Sequence, residues 1–401
     1  MLTGKTVLLG VSGSIAVYKI CNLARMLTKL GADVHVAMTE NSTNFVHPLT
    51  FETLTQHKCL IDTFDRNFEY SVEHVSIAKK ADVVMIAPAS ANVIGKIANG
   101  IADDMLTTTV MACTCKKIIA PAMNHNMLHN PIVQDNIEKL KKFGYAVVPT
   151  VNGMLANRDT GDGKLPDEET LLEYIVREIA FEKDLQGKKI LVTAGATREN
   201  IDPVRFITNH SSGKMGFAIA RNAMLRGADV TVVAGHTDVK PPMFLDIVRA
   251  ETAEDMFREV TERQADFDII IKSAAVADYT PVTTADNKIK KSDSDINIPL
   301  KRTKDILKHL GENKPDGQII CGFSMETENV IENSRRKLEN KNCDMICANS
   351  IKTDGAGFGT DTNIVTLITP DNTEQLEIMS KSEVANIILT RLNELSTRNM
   401  D

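Results

Sequence analysis

Gly10-Val-Ser-Gly-Ser-Ile-Ala16 follows an apolar run and opens a helical pattern. Backbone amides at a helix start favour an anion, and Ser12 and Ser14 add hydroxyl donors. The segment matches neither the G-x-G-x-x-G dinucleotide pattern nor a G-x-x-x-x-G-K-[ST] loop, and a tight strand-to-helix turn uses Gly and Ser in any case. Pro88-Ala-Ser-Ala-Asn92 and Pro121-Ala-Met-Asn124-His-Asn-Met127 close two further apolar runs, each with an Asn just beyond the strand. Turn chemistry explains one such segment. Three on successive strand ends point to a common ligand edge. His74, in Ser71-Val-Glu-His-Val-Ser-Ile-Ala78, stands near the start of a short helix, where the charged imidazole is disfavoured and a neutral base is favoured.

The second half carries its own donors. Thr193-Ala-Gly-Ala-Thr197 is another anion-friendly turn. Asp202-Pro-Val-Arg-Phe-Ile-Thr-Asn-His-Ser-Ser-Gly-Lys-Met-Gly216 concentrates Arg205, Asn209, His210, Ser211, Ser212 and Lys214 ahead of a helix expected over Phe217–Arg226. A polar capping loop would explain some of these; so many donors at one helix start favour a phosphate site. Ala274-Ala-Val-Ala-Asp278-Tyr ends a strand and leads into Ala285–Ile298, an exposed, mobile loop by composition, with Lys288, Lys290 and Lys291. Cys321-Gly-Phe323-Ser-Met-Glu-Thr327 ends the next strand, and Lys337 and Lys341 share one helix face. Each lysine alone reads as solvated surface; converging on one sheet edge, they suit a polyphosphate.

These segments need a scaffold that brings strand ends together. Strands are expected at Thr6–Gly10, Val34–Met38, Val83–Pro88, Ile118–Pro121 and Ala146–Pro149, with helices such as Ala16–Leu30 between them. The alternation implies a mostly parallel sheet covered on both faces. It restarts at Gly187–Gly195, followed by strands at Val230–Ala234, Ile269–Ser273, Gln318–Gly322, Met345–Ala348 and Ile364–Ile368. A helix over Glu168–Ala180 and a polar stretch to Gly187 place a domain boundary near residue 185, giving α/β domains over 1–183 and 184–401.

Composition narrows the function classes. The 401 residues carry a formal charge of −7, which gives no reason to expect nucleic-acid binding. No apolar run approaches the ~18–20 residues of a membrane span, and the N-terminus reads as a first strand, not as a signal peptide. Seven cysteines without a disulfide-like framework suggest a reducing compartment, so a cytoplasmic enzyme is expected. Cys113-x-Cys115 with His125 and His129 lacks the usual zinc spacing, and zinc is not expected there. Trp is absent, so a planar cofactor would be packed by aliphatic, Met or Phe side chains.

The GVSGSIAVYK segment, the His74 helix, PASAN and PAMNHNM occur in order, and together they resemble the flavin-containing cysteine decarboxylase family. The resemblance covers nearly all of residues 1–180 and implies a flavodoxin-like, Rossmann-like domain that binds FMN. It places Gly13, Ser14 and Ser90 near the flavin, His74 as the base, and Asn124 on the substrate carboxylate. In that family the flavin oxidises the thiol carbon to a thioaldehyde, which accepts the electrons left by CO2 loss, and then returns the electrons. The chain departs from the family at its substrate clamp, which reads Ala156-Asn157-Arg158-Asp159-Thr160-Gly161-Asp162-Gly163-Lys164-Leu165. Asn157 stands where the family has a cysteine that helps protonate the reduced intermediate. Asn is no acid, so another donor or a water must serve.

TAGATRE, DPVRFITNHSSGKMG, AAVADY, KIKK, GFSMET and CANS run in order across residues 187–350. They resemble the phosphopantothenate–cysteine ligase family, and the resemblance implies a Rossmann-like domain using CTP with Mg2+. Phosphopantothenate's carboxylate attacks the α-phosphate of CTP, pyrophosphate leaves, and the amine of cysteine attacks the acyl-cytidylate. Lys288 would neutralise charge in the first transfer, and Asn209 would hold the acyl-cytidylate. The nucleotide contacts implied are Ala274, Asp278, Lys304, Asp305, Ile306, Leu307, Phe323, Lys337 and Lys341, together with Lys288.

The combined expectation is a bifunctional enzyme of coenzyme A biosynthesis acting on 4′-phosphopantothenate, L-cysteine and CTP. The resemblance also implies a homo-oligomer: trimeric decarboxylase units that can build a dodecamer, with paired ligase domains. A ligase with a silent flavin fold is the alternative that Asn157 raises. A regulatory subunit on the same fold would carry an acidic tail, whereas this chain has a short mixed sequence over Leu392–Asp401.

Overall fold

Thr6–Val11 (β1) and Val83–Ala89 (β3) are buried at every position, the burial expected of parallel strands covered on both faces. In the computed structural model, which describes residues 1–63, 73–154, 160–291, 295–326, 328–350 and 360–398, they are the centre of the first of two compact units, Met1–Phe181 and Glu182–Asp401. Glu182 and Lys183, which the sequence places in the first domain, fall in the second unit: Lys183 Nζ donates to the Leu225 carbonyl at 2.6 Å, and the next residue, Asp184, accepts from Arg226 Nε at 2.8 Å.

In the first unit, Asp33–Met38 (β2), Lys116–Pro121 (β4) and Ala146–Val147 (β5) complete a five-stranded sheet, all parallel, in the order β2-β1-β3-β4-β5. The Val17–Lys29 helix buries Ile20, Leu23, Ala24 and Leu27, the helical spacing that announced it. The chain moves to β2 on one side of β1 and to β3 on the other. Open α/β sheets bind ligands at such a reversal, beyond the carboxyl ends of the two strands. An antiparallel hairpin, Val151–Met154 (β6) and Thr160–Lys164 (β7), follows; its tip, with Asn157, lies outside the described residues.

The second unit repeats this logic with a larger sheet. Lys189–Ala194 (β8) leads into a small antiparallel ribbon, Arg198–Asn200 (β9) and Phe206–Thr208 (β10). Asp229–Ala234 (β11), Asp246–Arg249 (β12), Ile269–Lys272 (β13), a second ribbon of Tyr279–Pro281 (β14) and Leu300–Arg302 (β15), then Ile319–Glu326 (β16) and Met345–Ser350 (β17) follow. The chain continues through Thr362–Asn363 (β18), Val365–Ile368 (β19) and Thr373–Gln375 (β20) to the Lys381–Arg398 helix. The main sheet runs β12-β11-β8-β13-β16-β17-β19-β20, parallel through β17 and antiparallel over its last two strands. The order reverses at β8, between β11 and β13. Among the described residues, no helix is long and apolar enough to cross a membrane.

Two expectations change here. The helix after the donor-rich segment is Lys214–Leu225, beginning three residues before the expected Phe217, with Gly213 as its N-cap. The Ala285–Ile298 stretch is exposed at its lysines but tied at its start. Buried Asp202 accepts from the Ile289 amide at 3.1 Å, and the Ala285 amide donates to the Ile201 carbonyl at 3.0 Å. A free loop was expected because composition does not register a carboxylate eighty residues away.

Candidate active sites

At the β1/β3 reversal, buried Ser12 staples the two strand ends. Its Oγ donates to the Pro88 carbonyl at 2.7 Å and accepts from the Ser90 amide at 2.9 Å. Ser90 also caps the Ala91–Ala98 helix, its Oγ accepting from the Val93 amide. The Val17–Lys29 helix has no side-chain cap at Ala16; its first turn is closed by the Val17 amide on the Ser14 carbonyl and the Lys19 amide on the Ala16 carbonyl, both at 3.1 Å, and its N-terminal end still favours an anion. A cavity of about 500 Å³ opens here, with Ser14, Ile15, Lys19, Asn124, Met154 and Lys164 among its walls. Ile15 and Tyr18, both in its lining, stay 55% and 61% exposed. A polar, amide-rich end beside exposed apolar side chains fits a phosphate-bearing planar ring.

The hairpin closes the other side of this cavity. Gly163 lies so near the Met123 carbonyl that a Cβ would stand 2.0 Å from its oxygen, and the Met123 amide donates to the Gly163 carbonyl at 3.1 Å. The neighbouring Asp162 accepts from His125 Nδ1 at 2.5 Å and His129 Nε2 at 2.7 Å. These two hydrogen bonds, His125 first, hold the Asp162 carboxyl below its usual range. The two histidines are thus engaged by Asp162 on the hairpin. Lys19 Nζ, from the helix, donates to the Leu165 and Pro166 carbonyls, both at 3.0 Å.

Of the residues expected in this half, Ser14 and Asn124 line the cavity. Gly13 and Ser90 stand at the adjacent strand ends. Asn124 caps the short His125–Leu128 helix through the Asn126 amide. His74 is part-buried in the first turn of Glu73–Lys80 and is not in the cavity wall. Lys19 and Lys164 were not singled out, although both lie inside quoted segments.

At the β8/β13 reversal, a cavity of about 460 Å³ is lined by Asn209 to Gly216, Lys272 to Val276, Asp278, Phe323, Lys337 and Asn349, among others. Gly213 adopts φ +81°, a conformation L side chains avoid. The Lys214–Leu225 helix has no side-chain cap there, so its first amides join Ser211 and Ser212 at the cavity. Two buried threonines fix the opposite wall. Thr193 Oγ1 accepts from the Ala274 amide and Thr197 Oγ1 from the Ala277 amide, both at 3.0 Å. Asn209 Nδ2 donates to the Val276 carbonyl at 3.2 Å, and Lys337 Nζ to the Phe323 carbonyl at 3.1 Å. The buried Oδ1 of Asn349 has no hydrogen-bond partner, a polar atom that a bound ligand would satisfy.

Of the residues named for the nucleotide and the acyl-cytidylate, Asn209, Ala274, Asp278, Phe323 and Lys337 line this one cavity. Lys341 and Asp305 pair with each other at 2.6 Å, and Lys304 pairs with Glu254 at 2.7 Å. Ile306 and Leu307 are core residues at the start of the Ile306–Glu312 helix. Lys288 is exposed on the tethered loop and is not in the cavity wall. The sequence reading missed Thr193 and Thr197, whose signal lay in the T-x-x-x-T spacing of a quoted motif. It also missed Lys272, which reads as an ordinary strand end. Burial, then the nearby Lys337 charge, lowers the Lys272 pKa to about 8 against the opposing pull of Asp305 and Asp278.

Fold and cavities define a two-domain α/β enzyme with a separate small-molecule site at the sheet reversal of each half. The family model "Flavoprotein" matches residues 1–180, and "DNA/pantothenate metabolism flavoprotein C-terminal domain" matches residues 185–395. The chain is 46% identical over 400 residues to the coenzyme A biosynthesis bifunctional protein CoaBC of Bacillus subtilis (strain 168), covering 99% of this chain and 98% of that one. It is 41% identical over 387 residues to the protein of the same name from Borreliella burgdorferi, covering 96% and 98%. A solved C-terminal domain of a coenzyme A biosynthesis bifunctional protein CoaBC is 43% identical, covers 53% of this chain and 98% of its own, and superposes with a TM-score of 0.46. The chain belongs to the family of bifunctional coenzyme A biosynthesis proteins, and its N-terminal half is a flavoprotein domain.

Proposed function

We propose that the chain catalyses two consecutive steps: CTP-dependent ligation of 4′-phosphopantothenate with L-cysteine, then FMN-dependent decarboxylation of the product to 4′-phosphopantetheine. The observation that carries this is the meeting of Asn209, Asp278, Phe323 and Lys337 at one cavity, fronted by the open helix start at Gly213.

In the ligase half, the amides at Gly213–Gly216, with Ser211 and Ser212, hold phosphate oxygens, and Lys337 adds charge. Asn209, anchored on the Val276 carbonyl, orients the activated acyl group for attack by the amine. Lys288 closes from the tethered loop to neutralise charge in the first transfer. Mg2+ enters with the triphosphate as part of the substrate. Among the described residues, the groupings with metal-ligand geometry lie in the first unit only.

In the flavoprotein half, Gly13, Ser14, Ala16 and Ser90 would hold FMN at the β1/β3 reversal. When bound, FMN supplies the two-electron oxidation that makes CO2 loss from an unactivated carboxylate feasible. Asn124 orients the substrate carboxylate, and the β6–β7 hairpin covers it. His74 serves as base. It stands outside the single-chain cavity, and the exposed Ile15, Tyr18, Phe45 and Leu49 support a trimeric arrangement of this half in which a neighbouring subunit completes the site; the ligase domains would pair separately. The variant clamp offers Asn157 in place of an acid, so the last proton comes from another donor or from water. A cytoplasmic setting fits seven cysteines, all free.

A mass-spectrometric product assay tests both halves. Full-length protein is given 4′-phosphopantothenate, cysteine, CTP and Mg2+. Accumulation of 4′-phosphopantetheine is the expected result. A stop at phosphopantothenoylcysteine with CMP release would leave a ligase with a silent flavin fold, the alternative that Asn157 raises. Absence of CMP would overturn the ligase.

A further inference from the structure

Four lysines line the β8/β13 cavity. Lys214 pairs with Asp361 at 2.7 Å, Lys337 donates to the Phe323 carbonyl, and Lys381 donates to the Thr360 carbonyl. Lys272 differs: among the described residues its ammonium makes no hydrogen bond and no ion pair. It is held at the end of β13 by the paired registers Ile271–Cys321 and Ile271–Val192 on either side, so the strand cannot turn it away. The residue as a whole is part-buried, and burial is the leading cause of its lowered proton affinity. The charged groups around it are Lys337 and Lys341 on the Val330–Asn340 helix and its C-cap, Asp305 at the start of the Ile306–Glu312 helix, and Asp278 in the loop after its own strand. Asp305 is already engaged by Lys341 at 2.6 Å. Asp278, in the same cavity wall, makes no ion pair with Lys272.

An ammonium partly withdrawn from water, with no ion-pair partner among the described residues and a second ammonium beside it, is unfavourable as long as the cavity holds no anion. The arrangement becomes favourable when a phosphate enters, because one anion then satisfies Lys272, Lys337 and the open amides at Gly213 together. Resting on the reading of this cavity as the nucleotide site, we propose that Lys272 is a ligand for the nucleotide phosphates, and that it takes up a proton as the nucleotide binds. The event is a protonation with no bond made or broken in the nucleotide: solvent supplies the proton, and the ammonium stays charged while phosphate is present. Affinity for CTP therefore falls as pH rises above about 8, where the ligand-free amine is increasingly neutral.

The test is calorimetric titration of the full-length protein with CTP and Mg2+ at pH 8.5, in buffers of different ionisation enthalpy, without the other substrates. At that pH the nucleotide's own terminal phosphate is fully ionised, so proton uptake reports the protein. The wild type takes up a substantial fraction of a proton. Lys272→Met loses that uptake and binds at least about tenfold more weakly, the loss expected for one charge-assisted contact. Lys272→Arg keeps the affinity to within a few-fold without uptake, because its charge is permanent; this variant separates a ligand role from a general disturbance of the strand. Wild-type binding with no proton uptake, together with undiminished affinity in Lys272→Met, would overturn the proposal and leave the nucleotide site standing. Equal uptake in wild type and Lys272→Met would also overturn it, by assigning the proton elsewhere. Failure of the wild type to bind CTP at all would overturn the reading of the cavity, and the proposal with it.

Discussion

Thr197→Val replaces one hydroxyl with a methyl inside the wall of the ligase cavity. Thr197 is fully buried, and its Oγ1 is the acceptor for the Ala277 amide at 3.0 Å. Val leaves that amide, on a residue only 5% exposed, without a partner. Leaving a buried donor unsatisfied costs about 1–3 kcal/mol. Backbone on either side is held separately, by the Ala275 amide on the Gly195 carbonyl and the Thr303 amide on the Asp278 carbonyl. The cost therefore appears first as local opening of residues 274–278. Hydrogen exchange read by mass spectrometry over that segment should show protection falling about 5- to 150-fold, the same energy expressed as an equilibrium constant. Affinity for CTP should weaken in parallel, since Asp278 rides on the segment. Global melting of the second unit should fall by roughly 2–12 °C, at about 2–4 °C per kcal/mol for a domain of this size. Thr193→Val, acting on the Ala274 amide at 3.0 Å, should have a similar effect, and the double variant should be less than additive because both hold one loop. Unchanged protection over 274–278 with unchanged CTP affinity would refute the claim that these hydroxyls position the cavity wall.

Gly163→Ala should separate the two activities: its Cβ would stand 2.0 Å from the Met123 carbonyl oxygen, so the hairpin must move off Asn124. Product analysis should then show CMP release at the wild-type rate with phosphopantothenoylcysteine accumulating, and normal 4′-phosphopantetheine output would count against a cover role for the hairpin. Ligand-free Lys272→Met should melt higher than wild type at pH 7. In the wild type the folded-state pKa is lowered to about 8 while the unfolded lysine titrates near 10.4. The unfolded state thus binds more protons between those values, so wild-type stability rises with pH across that window. The advantage of Lys272→Met should shrink from pH 8 to about pH 10 in paired melts, and a gap constant with pH would contradict the assigned shift.

The central strands of both sheets, and the turns that close them, were legible because parallel strands covered on both faces need unbroken apolar runs. Val83–Ala89 and Ile269–Lys272 could be recognised from the residues they bury. The small ribbons β9–β10 and β14–β15 were not, because Arg198–Asn200 and Leu300–Arg302 are short and polar and take their shape from partners distant in sequence. The Lys214–Leu225 helix was placed three residues late for a related reason: Gly213 caps it through a left-handed backbone, and composition alone gives Gly no such position.

The sequence by itself determined that two α/β units follow one another, that each opens with a strand feeding a ligand turn, and which family the ordered motifs belong to. Those properties depend on local pattern and on residue order along the chain. Tertiary structure decided which donors face the same space. It brought His125, His129 and Asp162 together across 37 residues, tied the lysine loop to Asp202 across 87, and left Lys272 as a cation facing a cavity. Long-range proximity follows from sheet order and burial, which no single segment encodes.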